Sequence, residues 1–594
     1  MTAEIQSALL QYPLNGERQW LSFDHPIFTI VAEDLKDVPN AILAAQSAAE
    51  DGHWVVGMIS YDAGPAFDEA IRSSRIRRVP LVSFGVFSSP KISSQPSESG
   101  GYEIGPWLPN RSHSAYLTTI RTIRQLIAAG ETYQVNHTIR LRADFSGEPI
   151  GLFGDLMRAQ QSKHAAFLDL GDRTVCSSSP ELFFSLENKK LTCRPMKGTI
   201  GRHPDPVWDE LAASHLSRSE KDLAENTMIV DMVRNDLGRI ATSGSVSVPA
   251  LHTVESYPTV HTLTSTVTAE SEAKLPEILN ALFPPASITG APKVRTSEII
   301  EALEGDGRGI YTGSIGALAP DGTMEFNIAI RTVWIDRSRG RAEYGVGGGI
   351  VWDSDPNEEW REVEQKSRVL DRAKSNFFLL ETMRWDPGEG IRHKDLHLDR
   401  MTASAKHFGF DFDREKTSDS LNQIQGKTSK RIRLLSSPNG VIEIQILGLP
   451  EPTTESWEVP IDVVPVQSEN EFLFHKTTMR DIYDEARNRF PDSPDVLLWN
   501  ERGEITETTT GNLVIEIGGQ LFTPPVICGL LPGTFRQQLI NESVITENVI
   551  HRSDLDKASA IWMINSLRGW VPLRFNREIT PKVLERSPEQ VYEI

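Results

Sequence analysis

Apolar positions along the chain follow two rhythms in turn. Over residues 1 to 90 short apolar runs alternate with turns. Trp54-Val55-Val56-Gly57-Met58-Ile59-Ser60-Tyr61 is a run of strand length and predicts a buried strand, followed by the turn Asp62-Ala63-Gly64-Pro65. From Tyr116 to Ala129 the rhythm changes: Leu117, Ile120, Ile123, Leu126 and Ile127 share one helical face, and Gly130 closes the helix. A second helix is predicted from Ser219 to Leu237, with Met228, Ile229, Met232 and Val233 as its apolar stripe. Ser219, with Asp222 three residues on, caps it, and Gly238 stops it. A third starts at Asp355-Pro356-Asn357-Glu358 and runs out near Lys374. A strand begins afresh at Phe377-Phe378-Leu379-Leu380-Glu381-Thr382-Met383-Arg384, which puts a domain boundary between 372 and 373. Domains 1–372 and 373–594 result, and the roughly 220 residues of the second suffice for a separate core. The Ser-, Pro- and Gly-rich stretch from Ser88 to Gly101 predicts an exposed connection.

Composition narrows the function classes. A hydrophobic content of 39% and a charged content of 24% describe an ordinary globular protein. The net charge of −20 disfavours nucleic acid and anionic membrane as partners, so an anionic substrate has to be met by local cations. Cys176, Cys193 and Cys528 have no C-x-x-C spacing, which argues against a disulfide framework and a zinc site. The N-terminus lacks the basic and apolar regions of a signal peptide, and no stretch approaches a membrane span. A cytoplasmic enzyme is the expectation.

The first candidate chemistry lies in Arg194-Pro195-Met196-Lys197-Gly198-Thr199, read as a strand end that turns at Gly198 and presents one lysine. A free lysine has a pKa near about 10.4, so a nucleophilic one must be desolvated or placed beside a cation. Upstream, Ser179-Pro180-Glu181-Leu182-Phe183 would pair with the lysine's strand across the turn Glu187-Asn188-Lys189-Lys190, bringing Glu181 near Lys197. A carboxyl and an amine poised together suit acid-assisted departure of one group and attack by another. Two helices also carry acid pairs, Asp222 with Glu225 and Glu359 with Glu362, each three apart on one face, with Lys366 four beyond Glu362. Their blander reading is a solvated helix face with salt bridges; their other is a site for a hard cation.

The lysine and glutamate segments resemble the S-P-E-x-F and P-I-K-G-T motifs of the aminodeoxychorismate synthase component I family, with Met196 where isoleucine is usual. That family belongs to the chorismate-utilising enzymes. Ala224-Glu225-Asn226-Thr227-Met228-Ile229-Val230-Asp231-Met232-Val233-Arg234-Asn235-Asp236 resembles its A-E-N-x-M-I-V-D-L-x-R-N-D motif, the most specific in the first half. Tyr133-Gln134-Val135-Asn136 resembles Y-Q-x-N, and Pro284 to Lys293 the S-x-T-G-x-P-K loop carrying Thr289. The resemblance spans roughly residues 50 to 370. It implies an α/β (α+β) fold with two central antiparallel sheets flanked by helices. It implies Mg²⁺ held directly by Glu225 and Glu362, and through water by Asp222 and Glu359. Tyr311 and Arg331 would grip the enolpyruvyl carboxylate, Gly347 would let backbone approach the ligand, Lys366 would complete the carboxylate site, and His261 would orient the leaving hydroxyl. The anthranilate relatives usually have alanine at the Lys197 position, so lysine implies amination at C4. Water-adding relatives carry a lysine base where this chain has Gln134, and an amide cannot deprotonate water.

The second half resembles the fold-type IV pyridoxal phosphate enzymes, including aminodeoxychorismate lyase. The resemblance rests on His397-Leu398-Asp399-Arg400-Met401, His475-Lys476-Thr477-Thr478, Ile505 to Asn512, and Leu531-Pro532-Gly533-Thr534-Phe535-Arg536. It implies Lys476 as the lysine that bonds the cofactor and moves the proton, and Glu507 facing the pyridine nitrogen. Arg400, the backbone amides of Thr534 and Phe535, and the hydroxyl of Ser566 would hold the phosphate. The expected enzyme aminates chorismate to 4-amino-4-deoxychorismate and then eliminates pyruvate to give 4-aminobenzoate. No G-x-C-x-G glutaminase nucleophile occurs, so ammonia is expected free or from a separate glutamine amidotransferase subunit, and a homodimer through the second domain is compatible. The alternatives are an anthranilate- or isochorismate-type enzyme fused to an aminotransferase, and a non-catalytic protein that binds chorismate.

Overall fold

The computed structural model describes residues 4–14, 16–76, 78–96, 101–203, 205–374, 377–451 and 455–582. The chain divides into two compact units, Met1–Arg202 with Leu211–Lys374, and His203–Glu210 with Ser375–Ile594.

The first unit is built on two large, mainly antiparallel sheets of eleven and ten strands among the described residues. In the first, Gln134–Gly147 pairs along its length with Arg341–Ile350, followed by Thr332–Asp336, Arg173–Ser179, His164–Asp169, Ser7–Leu14 and Glu17–Asp24. In the second, Met196–Gly201, Val260–Glu270, Lys190–Arg194, Leu182–Glu187, Met324–Ile328, Ser314–Leu318 and Trp54–Ile59 run in that spatial order. Leu10, Phe23, Leu168 and Trp334 of the first sheet meet Trp54, Val56, Met58 and Ile315 of the second in one buried cluster. Helices cover the outer faces. His113–Ala128, Pro149–Gln160 and Pro356–Lys374 pack on the first sheet through Ile120, Phe153 and Val369. Val38–Glu50, Glu220–Gly238 and Leu275–Leu282 pack on the second through Ile42, Val230 and Ile278. Four layers follow, and they explain the sequence: Trp54, Val56 and Met58 face the other sheet while Val55 and Ile59 face the helices, so the strand is apolar throughout.

Three expectations change. The predicted turn after Trp54–Ile59 is a 3₁₀ helix, Tyr61–Ala66, capped by Ser60. The predicted connection from Ser88 to Gly101 contains the strand Lys91–Ser93, which pairs with Glu17–Asp24; its residues 97–100 lie outside the described residues. The predicted turn at Gly198 is a bulge inside the strand Met196–Gly201, where the pairing with Val260–Glu270 shifts register and Gly198 takes a φ of 89°.

Behind the first sheet a buried ionic network fixes the backbone that will line a cavity. Arg308 pairs with Glu304 at 2.7 Å and donates to the carbonyls of Asn136 at 2.6 Å and Ile288 at 2.8 Å. Burial, opposed by Arg308 and Arg140, acts on Glu304, and the arginines win, holding its carboxyl below the usual range. Burial pushes His137, in the same cluster, down to about 4 and Asp62 up to about 6. Removing either member of the Arg308–Glu304 pair would strand a charge in the interior, at a cost of about 3–5 kcal/mol.

In the second unit, Gly390–Ile391, Leu379–Asp386, Lys430–Ser436 and Ile442–Gly448 form a four-stranded antiparallel sheet. The helix Lys394–Phe408 seats Leu398, Met401 and Ala405 on it against Leu379, Met383, Ile432 and Leu434. A mixed eight-stranded sheet carries Ile505–Thr508, Asn512–Ile517, Ala560–Asn565 and Gly569–Phe575 around a second core containing Leu513, Met563 and Val571. Cys176, Cys193 and Cys528 are free and buried. Among the described residues, no helix is long and apolar enough to cross a membrane.

Candidate functional site

The strand Met196–Gly201 and the helices Glu220–Gly238 and Pro356–Lys374 enclose a cavity of about 560 Å³, lined by Glu181, Lys197, Asp222, Glu225, Glu359, Glu362 and Lys366 among others. Two sequence-distant features meet there. The hairpin of Leu182–Glu187 and Lys190–Arg194 returns the chain so that the backbone N–H of Met196 donates to Glu181 Oε1 at 3.2 Å. Ser287 donates to the same oxygen at 2.8 Å. Glu181 is buried, and burial pushes its carboxyl up to about 7 against the pull of Ser287, Met196 and Lys197. Lys197 Nζ stands 3.6 Å from Glu225 Oε2. Asn226, one residue on, donates to the carbonyls of Lys197 at 3.4 Å and Leu263 at 3.3 Å, tying the helix to the bulged strand.

The second acid pair sits on a helix that starts as its sequence predicts. Asp355 Oδ1 accepts from the N–H groups of Asn357 at 2.9 Å and Glu358 at 3.1 Å. Glu362 accepts from Lys366 at 2.7 Å and from Thr199 at 3.0 Å. Burial acts to raise Glu362, but Lys366 and Lys197 hold it low, while burial and the neighbouring Glu362 push Glu359 up. Burial likewise raises Glu225. Glu359 Oε2 is buried without a hydrogen-bond partner. Among the described residues no three such side chains already close to ligand distance. An orphaned carboxylate oxygen facing acids from a second helix fits a hard cation that takes one or two carboxylates and keeps its waters. Sequence reading missed Lys221, which lines the cavity four residues before Glu225 and is influenced by Glu359, Glu225, Glu362 and Asp222; that i, i+4 spacing was its signal. It missed Gln160 too, a cavity-lining residue whose buried amide has no partner and whose place at a helix end gave no cue.

Gly345, Gly347 and Gly349 border the cavity and offer it backbone alone. A Cβ on Gly349 would collide with Lys197 Nζ, one on Gly347 with the His137 carbonyl, and one on Gly345 with the Tyr311 ring. Gln134 is fully buried beside Gly349, its amide oxygen and nitrogen both unpartnered. Tyr311 and Arg331 line the cavity, and the Arg331 guanidinium is turned onto the Lys366 carbonyl and, at 3.4 Å, the Tyr344 hydroxyl. Lys366 also donates to the Gly347 carbonyl at 2.9 Å. Besides Gln134, which is not among the cavity-lining residues, two residues expected at the site stand off it. Thr289 is buried with its hydroxyl on the Pro285 carbonyl, and the loop reaches the cavity through Ser287 and Ile288 instead. In Val260–Glu270 it is Val260 and Thr262 that line the cavity, while His261 between them bonds Ser256 at 2.9 Å, as period-two alternation requires.

The second unit has its own cavity of about 480 Å³, lined by Arg400, Lys476, Glu507, Thr534, Phe535 and Ser566 among others. Burial, with Arg400 and Arg480, pulls the Lys476 amine down to about 8. Glu507 accepts from the Tyr483 hydroxyl at 2.8 Å, the Leu531 N–H at 3.1 Å and Asn512 at 3.1 Å, and burial raises it to about 7. The helix Thr534–Asn541 opens on the cavity. Arg400 is anchored by Glu381 at 2.8 and 2.7 Å and donates to the Pro532 carbonyl at 2.9 Å. Burial acts to raise Glu381, yet Arg400 and His397 hold it down to about 2; His397 in turn lies 3.2 Å from the Thr534 hydroxyl. Ser566 donates to the Thr382 carbonyl at 3.3 Å. A buried amine, a buried carboxylate and amides at a helix start fit pyridoxal phosphate, whose three reactive regions are an aldehyde, a ring nitrogen and a phosphate. Glu381, Tyr483 and Asn512 act through partners set by the fold, Arg400 for the first and Glu507 for the other two, and local patterning gives no sign of those contacts.

The chorismate binding enzyme family model matches residues 14–372, and the class IV amino-transferase model matches residues 379–574. Aminodeoxychorismate synthase component 1 of Salmonella typhimurium is 44% identical over 267 residues, which cover 44% of this chain and 58% of that protein. The corresponding protein of Bacillus subtilis is 34% identical over 333 residues, covering 56% of this chain and 68% of the relative. The crystal structure of anthranilate synthase component I from Streptococcus pneumoniae superposes with a TM-score of 0.51 at 25% identity, covering 62% of this chain and 92% of that one.

Proposed function

Because the chain belongs to the chorismate binding enzyme family, we propose that it makes 4-aminobenzoate in two steps, one in residues 1–372 and one in residues 373–594. The observation that carries the first step is Lys197 and Glu181 on one cavity with two carboxylate pairs. Lys197, paired with Glu225 at 3.6 Å, gives up its proton to solvent in the cavity before it attacks. The free amine attacks C2 of chorismate while Glu181 gives its proton to the departing C4 hydroxyl, and water leaves. Ammonia then adds at C4, and the electron shift expels the Lys197 amine from C2, giving 4-amino-4-deoxychorismate. Magnesium, when bound at Glu225 and Glu362 with Asp222 and Glu359 behind water, would screen the substrate's ring carboxylate from these acids. Gln134 supplies an amide but no base, which supports ammonia over water as nucleophile. The ammonia comes free or from a separate glutamine amidotransferase subunit.

In the second step Lys476 removes the C4 proton and pyruvate departs, leaving the aromatic ring. Pyridoxal phosphate, when bound, supplies a ring that draws electrons from the bond being broken. Glu507 would keep its ring nitrogen protonated, Lys476 would hold its aldehyde carbon, and the N–H groups of Thr534 and Phe535 would hold its phosphate, with Arg400 and Ser566 alongside. The test is the purified chain with magnesium, pyridoxal phosphate, chorismate and ammonium. Release of 4-aminobenzoate is expected; anthranilate or salicylate overturns the assignment.

Glu181 works as an acid only while protonated, and burial places its carboxyl at about 7. Loss of that proton above about 7 opposes the gain of free Lys197 amine that rising pH brings, so the rate of the first step levels off instead of climbing. Glu181→Gln should lower kcat by about 10²–10³-fold and leave a rate that goes on climbing with pH as the lysine loses its proton. Wild-type and Glu181→Gln profiles of the same shape would remove Glu181 from the mechanism.

A further inference from the structure

One wall of the second cavity carries charge that the chemistry above does not use. Arg431 and Arg433 occupy alternate positions of Lys430–Ser436, on the sheet face that also presents Thr382 and Leu447 to the cavity. Arg568 reaches the same cavity from the turn between Ala560–Asn565 and Gly569–Phe575. Its guanidinium lies over the Trp457 ring at 5.2 Å and donates to the Glu451 carbonyl at 3.2 Å. Neither Arg431 nor Arg568 forms an ion pair among the described residues, and Arg431 Nε is buried without a hydrogen-bond partner. Burial and then the repulsion of Arg431 hold Arg568 below its ordinary range, so the two cations feel each other across the space. Unneutralised like charges in a half-dry cavity are costly, and the cost disappears when an anion sits between them. Two guanidinium forks match a carboxylate in shape as well as charge.

The position of this pair selects the anion. The Lys476 carbonyl accepts from the Leu380 N–H at 2.9 Å, whereas Arg431 pairs with Arg384, four residues further along the same strand, roughly 13 Å of backbone. Arg400 is already committed to Glu381 beside the helix start. Arg431, with Arg568 lining the same cavity, thus starts well away from the lysine's place on the strand. An α-amino acid, whose carboxylate is one bond from the amine carbon, does not reach both places. We propose that Arg431 and Arg568 clamp a substrate carboxylate remote from the amine, so that the second site takes amines of a carboxylated ring in preference to α-amino acids. The inference rests on the reading of this unit as a pyridoxal phosphate site.

The test is equilibrium titration of the full chain, loaded with pyridoxal phosphate, with 4-aminobenzoate, aniline and alanine. Wild type should bind 4-aminobenzoate about 10–100-fold tighter than aniline. Arg431→Gln and Arg568→Gln should each weaken 4-aminobenzoate by about tenfold and leave aniline and the long-wavelength absorbance of lysine-bound cofactor unchanged. If Arg431→Gln does not fold, Arg568→Gln, in a turn, carries the result. Unchanged 4-aminobenzoate affinity in a cofactor-loaded variant overturns the clamp, as does alanine binding that depends on the same arginines. Failure of wild type to take up the cofactor overturns the underlying reading instead.

Discussion

If Lys197 is the nucleophile of the proposed amination, Lys197→Ala should lower the rate of that step by about 10⁴-fold, on the order of 5 kcal/mol of barrier. The size follows from the role: a transient bond at C2 divides one difficult displacement into two easier ones, and the nearby amine of Lys366 is tied to Glu362 and the Gly347 carbonyl. The acids around the cavity are poor substitutes, since Glu362 is held ionised by Lys366 and Thr199, and Glu181 is needed as an acid. Lys197→Arg should fail as completely, because a guanidinium stays charged and is broader than the space beside Gly349 allows. The measurement is 4-amino-4-deoxychorismate formed from chorismate with saturating ammonium, alongside a melting curve to confirm the fold. Removing the lysine also frees Glu225 of its nearest cation, so magnesium affinity should hold or rise while turnover vanishes. Turnover within tenfold of wild type would end the covalent proposal.

Lys476→Ala should leave amination intact and stop the second step, by about 10³–10⁵-fold. The buried amine, drawn down to about 8, combines two properties: it loses its proton readily, and it is within reach of Glu507 and Arg400 as neighbouring charges. The variant fed chorismate and ammonium should accumulate 4-amino-4-deoxychorismate, with pyruvate release lost and the long-wavelength absorbance of lysine-bound cofactor absent. Pyruvate released at the wild-type rate by this variant would exclude Lys476 as the proton carrier.

What sequence could reveal of this arrangement depended on how local each cause was. The helix starts at Ser219 and Asp355 were legible because capping is a contact over three residues, and both caps occur as expected. The acid pairs were legible because helical spacing alone puts Asp222 with Glu225 and Glu359 with Glu362 on one face. That the two faces share a cavity is set by packing of distant helices, and only the family resemblance suggested it. Gly198 marked a special backbone position, but whether it made a turn or a bulge depended on its partner strand. His261 and Thr289 were assigned by motif, yet strand alternation and a local hydrogen bond direct their side chains elsewhere. The Arg431–Arg568 pair left no sequence signal, since 137 positions separate its members and arginine on a strand usually meets solvent.

The cavity beside Lys197 and the cavity beside Lys476 have no lining residue in common. Damage to one chemistry therefore need not spread to the other, and two crippled proteins can rescue each other. A Lys197→Ala chain and a Lys476→Ala chain, each barren alone, should together yield 4-aminobenzoate in a single tube, the unfinished molecule passing from one polypeptide to the next through open solution.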